Sequence, residues 1–371
     1  MRAAALVFVL LWSMSGAAQP LVVAPSRDDT DCVAELEEPL PAPSYFRIVN
    51  QYRTRESGKA LTHLREVTED LLERTLERLG NLRKHRRHIT KFDAMDACIQ
   101  AASMMHTELG MHVFDESQYG FAEFHFDIAY QLIALIRDGD RHDRFFRNWL
   151  LALGYYLQRA IFLLQDYEHA SHAFMMAEEY YDEAVRRFGD DAEVLLSAGT
   201  LWETSGPLTM RTMEKKHLKT AEKLYARAVA ADPALAEAQL RYGRILEKLE
   251  KYSEVEAPIA NAIALDESTH ITYIAHLIAG RVAERGGRVE EAIGHYETAV
   301  ELIPRWQVAY VALSYALHVS GRRKESAKVL ATSLRLRPET ASDYDGWWIY
   351  ELGRTGRLDR LWTSMREEIA F

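Results

Sequence analysis

An internal repeat in the second half of the chain constrains the fold more than any other feature of this 371-residue sequence. Small residues recur at Gly243, Gly280 and Ser314, at intervals of 37 and 34 residues. Larger and then small residues follow at matching distances: Ile259, Tyr296 and Leu330, then Ala262, Ala299 and Ser333. A period of about 34 residues is typical of helix pairs that stack on their neighbours. The chain is therefore expected to form a repetitive array of helices.

These repeats resemble the tetratricopeptide repeat (TPR). Small residues such as Gly243 let two helix axes approach closely, and Pro304 and Pro338 close successive units because proline cannot continue a helix. The resemblance covers residues 192–338 well and residues 147–188 more loosely. It implies an all-α fold, a right-handed superhelical solenoid of antiparallel helix pairs.

The chain divides into four segments on these patterns. We interpret residues 1–18 as a signal peptide and 19–44 as a tail or linker rich in proline and acidic residues. Residues 45–146 form a helical region, made either of degenerate repeats or of a separate bundle. Residues 147–371 form the TPR-like array with C-terminal capping helices. Apolar periodicity predicts individual helices at 61–79, 92–109, 120–137 and 142–164.

The first residues have the pattern of a secretory signal peptide. Arg2 supplies a positive charge, the apolar run that ends at Trp12 is shorter than the about 20 residues that span a bilayer, and small residues precede an expected cleavage after Ala18. The alternative is an uncleaved anchor. The sequence has no Asn-x-Ser/Thr sequon, which favours a bacterial periplasm or cell surface, with no stable membrane insertion after cleavage.

The composition and motifs do not favour nucleic-acid binding or catalysis. A net charge of −10 disfavours nucleic acid, because phosphate binding needs an excess of Lys and Arg. The sequence contains no Gly-x-Ser-x-Gly elbow, no Gly-Lys-Ser/Thr phosphate loop and no His-Glu-x-x-His zinc motif. We therefore expect neither an enzyme activity nor a cofactor.

Cysteines and histidines leave two questions open. Cys32 and Cys98 either form a disulfide in an oxidising compartment, or Cys98 is a small buried hydrophobe. His169 and His172 lie three residues apart near Glu168, and either share a metal or serve as exposed or capping histidines. No fourth ligand is identifiable, so we expect no metal.

The TPR resemblance implies that a peptide or protein binds in the concave groove lined by the first helix of each pair. The three clear units give these candidate contact residues: Arg244, Lys248, Leu277, Arg281, Arg285, Tyr315 and His318. Arg244 and Arg281 recur at matching positions, and arginine binds carboxylates with paired hydrogen bonds. The alternative is a solvated surface on which these cations pair with neighbouring glutamates.

A second candidate site is an insertion in the unit that precedes these three. Residues 206–219 add about three turns' worth of chain relative to a standard unit. Met210 and Met213 offer adaptable apolar contacts, and Arg211 offers a charge. The alternative is a tolerated surface loop.

These features favour a protein-binding scaffold or adaptor of the bacterial cell envelope. One alternative is an exported enzyme with an unrecognised site in residues 45–146. Another is a structural oligomerisation module driven by apolar residues such as Trp347 and Trp348. The predicted partner is another protein or peptide, whose identity the sequence does not give.

Overall fold

The computed structural model describes most of the chain from Phe92 onward. The described residues are 92–115, 117, 119–134, 136, 138–163, 167–209, 214–265, 268–336, 345–351 and 357–369. Their regular structure is entirely helical, which confirms the all-α prediction. The predicted signal peptide, the tail, the helix at 61–79 and the possible Cys32 crosslink lie outside these residues.

Fourteen helices make up the described part of the chain. In order they are α1 (Phe92–Asp115), α2 (Tyr119–Ile133), α3 (Gly139–Leu163), α4 (Tyr167–Arg187), α5 (Ala192–Thr209), α6 (Glu214–Ala231), α7 (Ala236–Lys248), α8 (Tyr252–Leu265), α9 (Thr269–Arg285), α10 (Val289–Leu302), α11 (Gln307–Val319), α12 (Arg323–Ser333), α13 (Gly346–Glu351) and α14 (Arg357–Ile369). Helices α1 to α3 confirm the predicted helices at 92–109, 120–137 and 142–164, with shifted ends. No helix among the described residues is both long and apolar enough to cross a membrane.

The described residues divide into two compact units, the first formed by those up to Trp149 together with those from Arg360 onward, and the second by those from Leu150 to Asp359. In the first unit, α1 and α2 pack against each other as a helix pair. A Cβ on Gly110 would come within 2.4 Å of the Phe126 ring, so the absence of a side chain lets the two helices meet closely. Trp149 is fully buried and its indole N–H donates to Thr107 Oγ1 at 2.7 Å.

The second unit is a TPR-like stack in which α5 pairs with α6, α7 with α8, α9 with α10 and α11 with α12. The predicted small-to-bulky contacts join α7 to α8 and α9 to α10, whereas in the last pair Ser314 hydrogen-bonds to Ser326 and Leu330 is exposed. A Cβ on Gly243 would lie 2.5 Å from Ile259, and one on Gly280 would lie 2.4 Å from Tyr296. The loosely matched residues 147–188 contain the same contact, since a Cβ on Gly154 would lie 2.6 Å from the Tyr181 ring.

Within the predicted insertion at 206–219, residues 206–209 and 214–219 are helical and are therefore not loop. Helix α5 continues to Thr209 and α6 begins at Glu214, so both helices have 18 residues where α7 and α8 have 13 and 14. At the start of α6, His217 and Leu218 are buried, and the His217 ring lies 5.0 Å from the Trp202 ring of α5. Met210, Arg211 and Met213 lie outside the described residues.

Candidate protein-binding face

The first helices of successive pairs, α5, α7, α9 and α11, contact one another in order within the second unit. We call the surface that they present the first-helix face. In α5, α7 and α9 a glutamate follows the close-packed glycine by four residues, giving Glu203, Glu247 and Glu284. Four residues are about one helical turn, so each carboxylate lies one turn beyond the contact between paired helices. In α11 the corresponding residue is His318.

Glu203 on α5 anchors cations that come from the next first helix. Its carboxylate accepts hydrogen bonds from Tyr225 Oη at 2.8 Å, Lys248 Nζ at 2.9 Å and an Arg241 guanidinium nitrogen at 3.1 Å. Burial alone would raise the pKa of Glu203, but Lys248 and Arg241 outweigh burial and lower the pKa to about 2. Arg241 is fully buried and also bonds to Glu237 at 3.0 Å. This cluster therefore stays charged at neutral pH.

Glu247 on α7 repeats the arrangement one unit later. Arg244 donates to it at 2.5 Å, Arg281 on α9 forms an ion pair with it at 3.0 Å, and Arg285 approaches to 3.9 Å. Glu247 and Arg244 are buried. Glu203 thus neutralises cations of the following first helix, and Glu247 those of its own and the following one. The cations pair with glutamates, but Arg244 and Glu247 are buried and so differ from the solvated surface of the sequence-based alternative.

The predicted contact residues lie in three different environments. Arg244, Lys248, Arg281 and Arg285 take part in the ion clusters just described. Leu277 is buried in the hydrophobic core, so its side chain does not reach the surface. Tyr315 and His318 are exposed on α11. The structure gathers the cations and separates them from Tyr315 and His318.

A short C-terminal segment, residues 345–351, lies against this face and contacts the arginines. The Trp347 ring is 5.3 Å from the Arg244 guanidinium and 5.4 Å from that of Arg281. The Tyr350 ring lies 4.4 Å from the Arg241 guanidinium, which also donates to the Tyr350 carbonyl oxygen at 3.4 Å. Trp347 and Tyr350 are both buried.

Asp345 fixes the start of the segment on α9 and α11. Its carboxylate accepts the Val308 backbone N–H at 2.7 Å, the Tyr273 hydroxyl at 3.2 Å and the Trp347 backbone N–H at 3.0 Å. Burial raises the pKa of Asp345, although the hydrogen bonds from Val308 and Trp347 oppose that shift. A Cβ on the next residue, Gly346, would lie 2.4 Å from the Trp306 ring. Only glycine fits this approach without rearrangement.

Helix α11 presents the exposed apolar part of the face. Val311, Tyr315 and Val319 are 48%, 62% and 53% exposed and lie four residues apart, which places them along one side of the helix. Tyr315 and Val319 occupy the repeat positions that Arg281 and Arg285 occupy in α9. The last pair therefore replaces cations with apolar side chains.

Sequence reasoning missed Glu203, Arg241, Asp345 and Tyr350. The recurrence of glutamate four residues after Gly199, Gly243 and Gly280 was available as a signal for the ion clusters. Trp347 was predicted to belong to a terminal cap. No periodicity within 345–351 indicates which surface the segment contacts, because the contact depends on the path of the chain after the last helix pair.

Histidine pairs recur in both units, but neither forms a recognisable metal site. His106 and His125 face each other with Nδ1 atoms 3.1 Å apart, and His276 and His295 do so at 3.0 Å. Burial lowers the pKa of His106 to about 3 and that of His276 to about 4, so both pairs are neutral at pH 7. His169 is buried. Within the described residues no group of three or more His, Cys, Asp or Glu could hold a metal ion.

Comparison with known proteins gives similarity to solved structures alone. No family model matches the chain, and no curated protein sequence matches it. A crystal structure of MamA is similar over 46% of this chain and 92% of its own, with 22% identity and a TM-score of 0.38. Pseudomonas aeruginosa pilF aligns over 61% and 87%, with 18% identity and a TM-score of 0.42. YrrB, described as a TPR protein with an unusual peptide-binding site, aligns over 47% and 83%, with 18% identity and a TM-score of 0.36.

Proposed function

We propose that this chain is an exported bacterial scaffold that holds a partner protein on its first-helix face. The observation that carries the proposal is the row of Val311, Tyr315 and Val319, three exposed apolar side chains along one side of the first helix α11. A row of exposed apolar side chains is typical of a protein interface. The signal-peptide pattern of residues 1–18 supports export to the cell envelope.

A photo-crosslinking amino acid at Tyr315, in the full chain expressed in a bacterium, tests the proposal. Leu330 on α12 is the matched control, because it is also apolar and 42% exposed but belongs to a second helix. We expect one dominant crosslinked protein from position 315, absent from position 330, and recovered with the periplasm or the cell surface. Identical products from both positions, or none from position 315, would contradict the scaffold role.

Substitutions on α11 test the same face without disturbing the buried charges. Tyr315→Asp with Val319→Asp places two carboxylates on an exposed surface, so partner capture is expected to fall while the fold is retained. Leu330→Asp with Leu334→Asp is the control, since Leu334 is 67% exposed. Replacing Arg244 and Arg281 by glutamate is a poorer test, because both arginines neutralise the buried Glu247 and their loss would destabilise the fold.

A further inference from the structure

We propose that residues 345–351 are an internal ligand, and that the face of α7 and α9 accepts a partner segment of the same chemistry. That chemistry is an aspartate followed by aromatic residues two and five positions later, as in Asp345, Trp347 and Tyr350. The inference rests on the proposed scaffold function and names the class of segment that this face recognises.

The contacts of the segment are those by which a peptide is recognised. Trp347 lies near two guanidinium groups, an arrangement that cation–π attraction stabilises most strongly away from water. Arg241 contacts both the ring and the carbonyl oxygen of Tyr350. Asp345 accepts a backbone N–H from Val308. Aromatic anchors between arginines, with a polar contact at one end, resemble the central residues of protein interfaces.

The face keeps its charges balanced when the segment leaves. Glu247 neutralises Arg244 and Arg281, while Glu203 and Glu237 neutralise Arg241. Release of Trp347 and Tyr350 would therefore leave no buried arginine without a carboxylate. The Tyr273 hydroxyl and the Val308 backbone N–H would lose their acceptor, Asp345, so a partner segment that replaces this one must bring a carboxylate to the same place.

The spacing of the two aromatic residues places both on one side of the short helix α13. Trp347 and Tyr350 are three residues apart within α13, so they lie on the same side and reach neighbouring arginines together. Gly346 limits the position before the tryptophan, since any larger residue would meet Trp306. A partner segment is therefore expected to read Asp-Gly-aromatic-x-x-aromatic.

Because residues 345–351 are covalently joined to the protein, they compete strongly with any free peptide for the face. Residues 337–344 join the segment to the end of the last helix pair, so its effective concentration at the face is about millimolar. A free peptide of the same sequence is expected to bind poorly to the intact chain. It is expected to bind well when the internal copy is removed or cut loose.

The experiment uses a fluorescent peptide with the sequence of residues 343–353 and the full-length protein. Protease sites placed within 338–343 and within 352–356 allow the folded wild-type face to be freed of its tethered segment by cleavage. We expect the peptide to bind the doubly cleaved protein at least about tenfold more tightly than the uncleaved protein, measured by fluorescence anisotropy. Trp347→Ala with Tyr350→Ala, in the uncleaved chain, is a second way to empty the face.

One control peptide has alanine at the Trp347 position and a second has the same residues in scrambled order. Both are expected to bind the cleaved protein at least about tenfold more weakly than the original peptide. Circular dichroism checks that helix content survives cleavage. Absence of peptide binding after cleavage, equal binding before and after it, unfolding on cleavage, or exchange of the segment only between two copies of this chain would each overturn the inference. Crosslinking from position 315 that persists in those cases would leave the scaffold role intact.

Discussion

The first-helix face has two parts that use the same repeat positions in different ways. On α7 and α9 these positions carry arginine and lysine that bind buried glutamates and the ring of Trp347. On α11 they carry Tyr315 and Val319, which are exposed. Repetition of the backbone therefore does not repeat the surface chemistry. Residues 345–351 cover part of the α7–α9 surface, whereas Arg285 at the end of α9 and the apolar row of α11 are exposed.

The largest expected effect comes from removing the charge that anchors the occupied part. Glu203→Gln leaves the fully buried Arg241 with Glu237 as its remaining carboxylate, and is expected to destabilise the protein by about 3 kcal/mol. Urea denaturation followed by circular dichroism measures the change. Glu222→Gln is the control, because Glu222 pairs with the partly exposed Lys251, and this pair is expected to contribute less than about 1 kcal/mol. Equal effects would show that the buried cluster is not an anchor.

The second-largest change in stability is expected at the close contact between Gly280 on α9 and Tyr296 on α10. Gly280→Ala forces a Cβ to within 2.4 Å of the buried Tyr296 ring, and overpacking of this kind costs about 1–3 kcal/mol. Gly294→Ala lies in the interior of α10 with no atom within 4 Å of the added Cβ, so it is expected to stabilise by up to about 1 kcal/mol. The melting temperatures of the two variants should move in opposite directions. A shift in the same direction would contradict the packing.

Acid is expected to weaken the α9–α10 pair that underlies the occupied part. Burial lowers the pKa of His276 from 6.5 to about 4 and also lowers that of His295, so the unfolded chain binds protons that the folded chain excludes. Stability from this pair is fully present above pH 6.5 and falls as the pH drops toward about 4. The His276 shift alone corresponds to about 2 kcal/mol at pH 5, which becomes about 1 kcal/mol once its partial exposure to solvent is taken into account. Chemical denaturation of the wild type and of His276→Gln with His295→Gln, at pH 7 and pH 5, measures the difference. An unchanged pH dependence in the double variant would refute the assignment.

The smallest effect comes from making the open part resemble the occupied part. Tyr315→Arg with Val319→Arg introduces at these positions the arginines found at the matching positions of α9. Surface substitutions of this kind usually change stability by no more than about 0.5 kcal/mol. Partner crosslinking from a photo-crosslinking residue at position 311, in contrast, should be lost because the apolar contact is gone. Retained crosslinking would place the partner elsewhere.

The helix pairs were accessible from the sequence because their contacts are local. Gly243 with Ile259 and Gly280 with Tyr296 each lie 16 residues apart, so one repeat period determines both partners. The burial of Leu277 could not be predicted from the sequence. Helical periodicity assigns a residue to one side of a helix but does not show how completely neighbouring helices cover it. The TPR resemblance implied the groove, but not that the chain's own residues contact it.

The ion clusters and the C-terminal segment depend on distances that the sequence does not contain. Glu203 and Lys248 are 45 residues apart and meet only because α5 and α7 stack in a particular register. Arg241 and Tyr350 are 109 residues apart. A repeat pattern predicts that neighbouring units touch, but it does not identify which charged side chains face each other.

Tyrosine nitration of the intact wild-type protein, followed by mass spectrometry, tests the division of the face most directly. Tyr315 is 62% exposed whereas Tyr350 is 7% exposed beneath Arg241, so Tyr315 should react rapidly and Tyr350 slowly. Trp347→Ala should make Tyr350 reactive while leaving the rate at Tyr315 unchanged. Equal nitration of Tyr315 and Tyr350 in the wild type would contradict an occupied α7–α9 surface beside an open α11.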